Sequence, residues 1–329
     1  MTFRALVTNA PVNAHSLSTL EILDDEKLPP EEVIVDIDWA GLNYKDALCL
    51  TGQGGLVRTY PHVAGIDFAG TVRHSNDPRY AIGDKVVLTG WRVGETHWGG
   101  YAERAAVKAD WLVPLPEGLS TRQAMVIGTA GLTAMLAINR LESLGISPVS
   151  GELLVTGAAG GVGSIAVALA HRLGYAVTAL SGRPQHADML QALGANNVLS
   201  RADFLAQPDK PLEQARYAAA IDCVGGDILG KLLKQIAYGG AVASLGNAAG
   251  IGLNTNVLPF LLRGITLAGI DSVMQPYDAR VAAWSRLSGL FDFAAYQANV
   301  EEVGLDDLTE KAAQILRGEI KGRVIVNPH

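Results

Sequence analysis

Residues 153–163 read LLVTGAAGGVG, and a charge-free apolar run continues from Ser164 toward the end of a predicted helix over 164–173. The β-forming run stops at Gly157, glycines recur at Gly160 and Gly163, and helical periodicity then resumes. This is a strand, a tight turn and a helix N-terminus, a geometry that receives a pyrophosphate. The first N–H groups of a helix have no partner inside it and carry about half a positive charge. Glycines let the backbone approach a ligand closely and adopt positive φ. A glycine pattern alone is a weak signal, so its surroundings must carry the reading.

Those surroundings are specific. Residues 174–180, GYAVTAL, read as the next strand, closing a β-α-β unit of about 30 residues. Units that bind NAD place an Asp or Glu at the end of this strand, on the ribose 2′-hydroxyl. Here Ser181, Gly182 and Arg183 occupy that place, and the next acid is Asp188. A carboxylate would repel a 2′-phosphate, whereas Ser181 and Arg183 suit one through charge-assisted hydrogen bonds worth roughly 1.5–3 kcal/mol. Arg201, after a short predicted strand over 197–199, is a second cation for the same group. The expectation is NADPH rather than NADH; the plain alternative makes Arg183 a solvated loop charge.

The chain's 329 residues suit two domains, and 49% hydrophobic with 18% charged residues describes a well-packed protein. A net charge of −7 argues against nucleic acid or an anionic membrane surface as partner. Two cysteines, Cys49 and Cys223, make no disulfide framework and fit a reducing compartment. The opening MTFRALVTNAPVNAHS alternates like a strand and lacks the apolar core of a signal peptide, so a cytoplasmic protein is expected. Residues 153–170 carry no charge over a length that nominally spans a membrane. Their glycines make a buried β-α crossover the better reading.

Two textures alternate along the chain. Up to about residue 124, short strand-like runs (3–8, 32–40, 70–72, 84–88 and 100–107) are broken by Gly, Pro and Asp, as in a β-rich barrel. Beyond it, strands at 152–156, 176–180, 197–199, 218–223, 241–245 and 266–270 alternate with helices such as 187–193 and 229–236. Six such strands make a doubly wound parallel sheet. The tail adds an amphipathic helix near 305–316 and a strand at 322–326 with no partner in that sheet. The expected layout is a discontinuous first domain, 1–124 and 274–329, with a cofactor domain, 125–273, inserted into it.

A β-rich domain before a nucleotide-binding one raises the question of a catalytic zinc, which needs three protein ligands. Cys49 and Cys223 stand alone without a CxxC, and His62 and His97 lie in glycine-rich loops without a cysteine partner. No metal is expected. Asn43-Tyr44-Lys45-Asp46 sits at a strand–helix junction; Asp46 is either a helix N-cap or a site residue. Tyr44 is a tentative catalytic residue, since a phenol can donate a proton or hydrogen-bond a cofactor amide. The loop 90–100, GWRVGETHWGG, could cover an elongated substrate, or Trp91 and Trp98 could anchor it to the core. Gly65-Ile66-Asp67 and Gly83-Asp84-Lys85 read as turns. Asn247, Ile270, Asp271 and Ser272 follow strand C-termini, the ligand-binding edge of an open α/β sheet. Lys321 and Arg323 would approach a cleft if the last strand rejoins the first domain, and His171 is expected on a helix surface.

Taken together, these elements resemble the medium-chain dehydrogenase/reductase superfamily on its zinc-free, quinone-oxidoreductase side. The likeness runs nearly end to end, through 43–46, Gly65–Gly70 (GIDFAG), 83–86, 99–103, Gly128-Thr129-Ala130-Gly131 and 158–163. Zinc relatives carry a ligating His where this chain has Ile66. The resemblance implies a GroES-like β-rich catalytic domain joined to a Rossmann domain. His97-Trp98-Gly99-Gly100 and Ser181-Gly182-Arg183 are similar to the acryloyl-CoA reductase group, whose members use NADPH. In that group the residues matching Tyr44, Ala159, Gly160, Gly161, Val162, Ser181, Gly182, Arg183 and Arg201 contact the cofactor. The implied reaction is NADPH-dependent reduction of the C=C bond of an α,β-unsaturated acyl-CoA, most simply acryloyl-CoA to propanoyl-CoA. Quinone reduction and a non-catalytic, NADPH-binding structural role are the alternatives. An apolar edge strand at 266–270 suggests a homodimer.

Overall fold

The computed structural model describes residues 1–11 and 18–329. Part of the opening stretch expected to alternate, 12–16, therefore lies outside the described residues. Alternation elsewhere in the N-terminal third becomes strands: β1 (Thr2–Thr8), β2 (Thr19–Asp24), β3 (Val33–Leu42), β4 (His62–Val63), β5 (Asp67–Ser75), β6 (Lys85–Thr89), β7 (Arg104–Val107) and β8 (Leu112–Pro114). Along β3, Val33, Val35 and Ile37 point into the core while their neighbours stay half-buried, the period-two signature of a half-covered sheet. β2, β4 and β8 are short or lie among polar residues, which is why the sequence pattern does not show them. Helix α1 (Tyr44–Leu50) follows β3, and the long helix α2 (Thr121–Ser143) closes this region.

From residue 153 strands and helices alternate: β9 (Leu153–Thr156), α3 (Gly161–Arg172), β10 (Val177–Ser181), α4 (Ala187–Ala192), β11 (Asn197–Ser200), α5 (Arg201–Ala206), β12 (Tyr217–Asp222), α6 (Gly226–Leu233), β13 (Ile236–Ser244), α7 (Leu258–Arg263) and β14 (Thr266–Gly269). The tail comprises α8 (Tyr277–Leu290), α9 (Phe293–Tyr296), β15 (Val300–Gly304), α10 (Leu308–Leu316) and β16 (Arg323–Asn327).

The chain clusters into two units. One comprises Met1–Thr129, Ser272–Ser288 and Asn299–His329; the other comprises Ala130–Asp271 and Gly289–Ala298. The expected boundary at 124/125 falls inside α2, and residues Gly289–Ala298, expected in the first unit, cluster with the second. In the first unit a sheet runs β15-β16-β3-β5-β6-β8, with β7 also on β3, beside a smaller sheet β2-β1-β4. The last strand, β16, pairs antiparallel with β3, Val324 opposite Leu42.

In the second unit six parallel strands run β11-β10-β9-β12-β13-β14. The central strands β9, β10 and β12 are buried along their whole length, as parallel strands covered on both faces must be. Chain order reverses between β9 and β12, and ligands of open α/β sheets bind where that happens, beyond the strand C-termini. The fold class expected from the sequence, a β-rich domain plus a doubly wound six-stranded sheet, is the one observed. The uncharged run 153–170 divides into β9, a turn and α3. α2 is also apolar and long enough to cross a membrane, but 83% of its most apolar window is buried within the fold.

Candidate active site

The glycine turn leaves β9 at Gly157, where φ is +59°. Gly160 N–H donates to the Gly157 carbonyl at 3.0 Å, and Gly160 caps α3 without a side-chain acceptor. The first N–H groups of α3, from Gly161 and Val162, thus have no intrahelical partner. Gly163 brings α3 onto the strand end, because a Cβ there would sit 2.4 Å from the Gly157 oxygen. Gly160, Gly161 and Val162 are part-exposed, whereas Ala159 is buried. The edge of the turn is held from β12. Asp222, fully buried, accepts from Thr156 Oγ1 at 2.7 Å and from Gly225 N–H at 3.0 Å. Burial raises its carboxyl above the usual range while these donors pull it back. Nothing in the local sequence marks Asp222, a strand-end acid, as buried.

At the C-terminus of β10, Ser181 is buried and its hydroxyl accepts from Arg183 N–H at 3.1 Å. Its role includes shaping the turn that presents Gly182 and Arg183. Arg201 lies over Gly182, so that a Cβ there would sit 3.2 Å from the guanidinium carbon. Partial burial lowers the Arg183 guanidinium from its ordinary value. Ser181, Gly182, Arg183 and Arg201 therefore meet at one strand end, as the sequence spacing anticipates. Asn247, Ile270 and Asp271 also come together, lining a cavity of about 520 Å³ beyond the C-termini of β13 and β14. Ser272 belongs to the first unit, where its carbonyl accepts from Arg280. His171 is exposed at the far end of α3, against Gly194.

In the first unit, Tyr44 is the first residue of α1 and is 44% exposed. The N-cap is Asn43, which corrects the reading of Asp46 as the cap. Asp46 instead reaches back from the third helical position, accepting from Asn43 N–H at 2.9 Å in a capping box. Its other oxygen accepts from Ile66 N–H at 2.8 Å. Asp46 is fully buried; burial and the neighbouring Asp67 carboxylate push its carboxyl up to about 7, against these N–H donors. Asp67 is likewise buried, so it is a strand residue in a charged network and not turn chemistry. Arg323 is buried too, at 2% exposure, whereas Lys321 is exposed.

The loop after β6 is anchored, not free. Trp98 Nε1 donates to the Pro61 carbonyl at 3.0 Å, and the Arg280 guanidinium stacks over the Trp91 ring at 4.7 Å. Both tryptophans therefore fix the loop. Trp91 and Arg92 take positive φ, 56° and 59°. Such strain costs of order 1–3 kcal/mol per residue and persists only where surroundings impose it. Arg280, almost fully buried, supplies that imposition by donating to the carbonyls of Thr89, Ser272, Val273 and Gln275. Its only trace in the sequence is one cation on the otherwise apolar face of Ala283, Trp284 and Leu287.

His62 Nε2 bonds the Gly94 carbonyl at 2.9 Å, and His97 packs edge-on against Trp111. Burial pushes the Cys49 thiol up to about 12 and raises Cys223 as well, keeping both protonated. Among the described residues no group of three or more His, Cys, Asp and Glu is placed to hold a metal ion.

Residues 29–117 match the alcohol dehydrogenase GroES-like domain, and residues 161–288 match the zinc-binding dehydrogenase family. The chain is 54% identical over 300 residues to the acrylyl-CoA reductase AcuI of Ruegeria pomeroyi, covering 91% of each chain. It belongs to the medium-chain dehydrogenase/reductase superfamily. Among solved medium-chain dehydrogenase/reductases, the yhdH oxidoreductase of Salmonella enterica in complex with NADP superposes with a TM-score of 0.96 at 49% identity, covering 100% of both chains. The yhfP protein of Bacillus subtilis with NAD bound superposes with a TM-score of 0.95 at 44% identity, again over 100% of both.

Proposed function

We propose that this medium-chain dehydrogenase/reductase uses NADPH to reduce the C=C bond of an α,β-unsaturated acyl-CoA, converting acryloyl-CoA to propanoyl-CoA. The observation that carries the cofactor reading is the cradle after β9. Backbone closes to a distance that a Cβ at Gly163 would fill, and uncapped helix N–H groups face outward beside it. Gly161 and Val162 would hold the pyrophosphate there by hydrogen bonds and the helix dipole, with Gly160 and the buried Ala159 shaping the turn against it. Gly182, Arg183 and Arg201 would hold the 2′-phosphate, with Ser181 setting the turn. No acid stands at this strand end, so NADPH is favoured over NADH. Asn247, Ile270 and Ser272 are assigned to the nicotinamide end. Bound NADPH would supply a hydride for the β-carbon of the acceptor, and a proton from water at the α-carbon completes the saturated acyl-CoA. The negative charge that develops on the thioester oxygen requires N–H or O–H donors. Tyr44, at the exposed start of α1, is assigned as one such donor, holding a proton on Oη.

The identity with the Ruegeria enzyme supports the acyl-CoA substrate. A cytoplasmic location fits the charge and the two reduced thiols. A homodimer built on the β14 edge fits the exposed apolar side chains of Leu261 and Leu262 on the adjoining α7. One assay tests the whole reading: NADPH oxidation with acryloyl-CoA in competition with a naphthoquinone. Preferential reduction of acryloyl-CoA is expected. Preference for the quinone would make this a quinone reductase, and turnover of neither would leave a binding role.

A further inference from the structure

Helix α2 is broken at Gly128, whose φ of 51° and ψ of −158° lie outside helical space. In an unbroken helix Thr129 N–H would donate to the Met125 carbonyl, four residues back. Here both groups are taken by buried side chains of opposite charge. Thr129 N–H donates to Asp67 Oδ2 at 2.6 Å, and the Met125 carbonyl accepts from Arg323 at 3.3 Å. Arg323 also donates to the Val126 carbonyl at 3.2 Å. The break is thus capped on both sides, and two glycines make room for the caps. A Cβ at Gly128 would sit 2.6 Å from the Arg323 guanidinium and 2.8 Å from Asp67, while one at Gly41 would sit 2.8 Å and 2.5 Å from them.

The same two side chains reach α1 through one residue. Asn43 donates from Nδ2 to Asp67 Oδ1 at 3.0 Å and to Asp46 Oδ2 at 3.1 Å. Its Oδ1 accepts from Arg323 at 3.0 Å. Every polar atom of the Asn43 side chain is therefore used, and the residue it precedes is Tyr44. Burying two carboxylates and a guanidinium is unfavourable for stability alone, since well-packed apolar residues of similar volume often do as well or better. What such a network supplies is a fixed geometry.

We propose that Asn43, Asp67 and Arg323 are positioning residues for Tyr44, locking the start of α1 to the broken helix α2 so that the phenol is held in one orientation. This rests on the assignment of Tyr44 to the reaction. Asn43→Ser separates the two roles of Asn43. Serine remains a good helix N-cap, so α1 keeps its start, but it is too short to span to Asp67 and Arg323. In the otherwise native enzyme, Asn43→Ser is expected to lower kcat for acryloyl-CoA about tenfold, the effect of one lost charge-assisted hydrogen bond. The KM for NADPH should stay within about twofold. In the Tyr44→Phe background the same substitution should cause no further loss of kcat. Asp67→Asn is the second variant and should show the same dependence on Tyr44. Equal losses in both backgrounds would mean a purely structural network, and undiminished kcat in Asn43→Ser would mean no positioning; either overturns the proposal. Full turnover by Tyr44→Phe alone would overturn the assignment of Tyr44 itself, a failure distinct from the other two.

Discussion

Gly163→Ala should separate close approach from mere flexibility in the glycine turn. Its Cβ would lie 2.4 Å from the Gly157 oxygen and 2.7 Å from Ala158 Cα, both backbone atoms that cannot rotate aside. Restoring ordinary contact requires the start of α3 to retreat by about 1 Å from β9, at an overpacking cost of about 1–3 kcal/mol. The N–H groups assigned to the pyrophosphate move with it. A displacement of that size typically weakens a positioned interaction about 100-fold, or about 2.7 kcal/mol. Gly160→Ala is the internal control, because its nearest contact is 3.3 Å and its φ is −82°. We expect NADPH titration followed by cofactor fluorescence to show a Kd raised about 100-fold for Gly163→Ala and less than about fivefold for Gly160→Ala. Urea unfolding of each variant separates binding loss from global destabilisation. Native NADPH affinity in Gly163→Ala would refute the reasoning, and so would equal losses in the two variants.

Three further outcomes are expected. Arg183→Ala and Arg201→Ala should each raise the KM for NADPH about 10- to 100-fold and leave the KM for NADH nearly unchanged; steady-state kinetics with both cofactors decides, and parallel losses would remove the 2′-phosphate assignment. Asp46 gives a pH dependence of stability. Its carboxyl titrates at about 7 in the fold against 3.8 when unfolded, so the unfolded chain releases the proton first as pH rises. The contribution is fully present below about pH 4 and is lost on approach to pH 7, an effect on the order of a few kcal/mol. Relative to Asp46→Asn, which cannot titrate, the native protein should therefore lose stability between about pH 4 and pH 7 in urea melts; a constant difference would contradict the shift. Finally, light scattering should give a dimer, and Leu267→Lys on the β14 edge should give a monomer of 34.6 kDa; a monomeric native protein would rule out the edge-strand dimer.

Much of the fold was legible because its signals are local. The β9 turn, α3 and β10 follow from glycine spacing and a change of hydrophobic period within about thirty residues. The cluster of Ser181, Gly182, Arg183 and Arg201 was legible for the same reason: two adjacent parallel strands, β10 and β11, end side by side. Short strands such as β4 and β8 were not, since two or three residues carry no measurable period. Nor were the roles of the charged residues in the first unit. Asp67 reads as part of a turn and Arg323 as a cation approaching a cleft, and nothing local marks either as buried.

The sequence by itself determined the local scaffold and the chemistry of its turns: where strands stop, where a helix begins without a cap, and that Ser181-Gly182-Arg183, with no acid, follow the second strand. Only the tertiary structure decided which charges leave water. Asn43 meets Arg323 across 280 residues and Asp67 across 24. Whether a carboxylate is buried depends on partners contributed by strands that distant, and no window of sequence contains them. The break at Gly128 shows the same division. Glycine permits it, but only buried charges brought from β5 and β16 can satisfy the two backbone groups it frees.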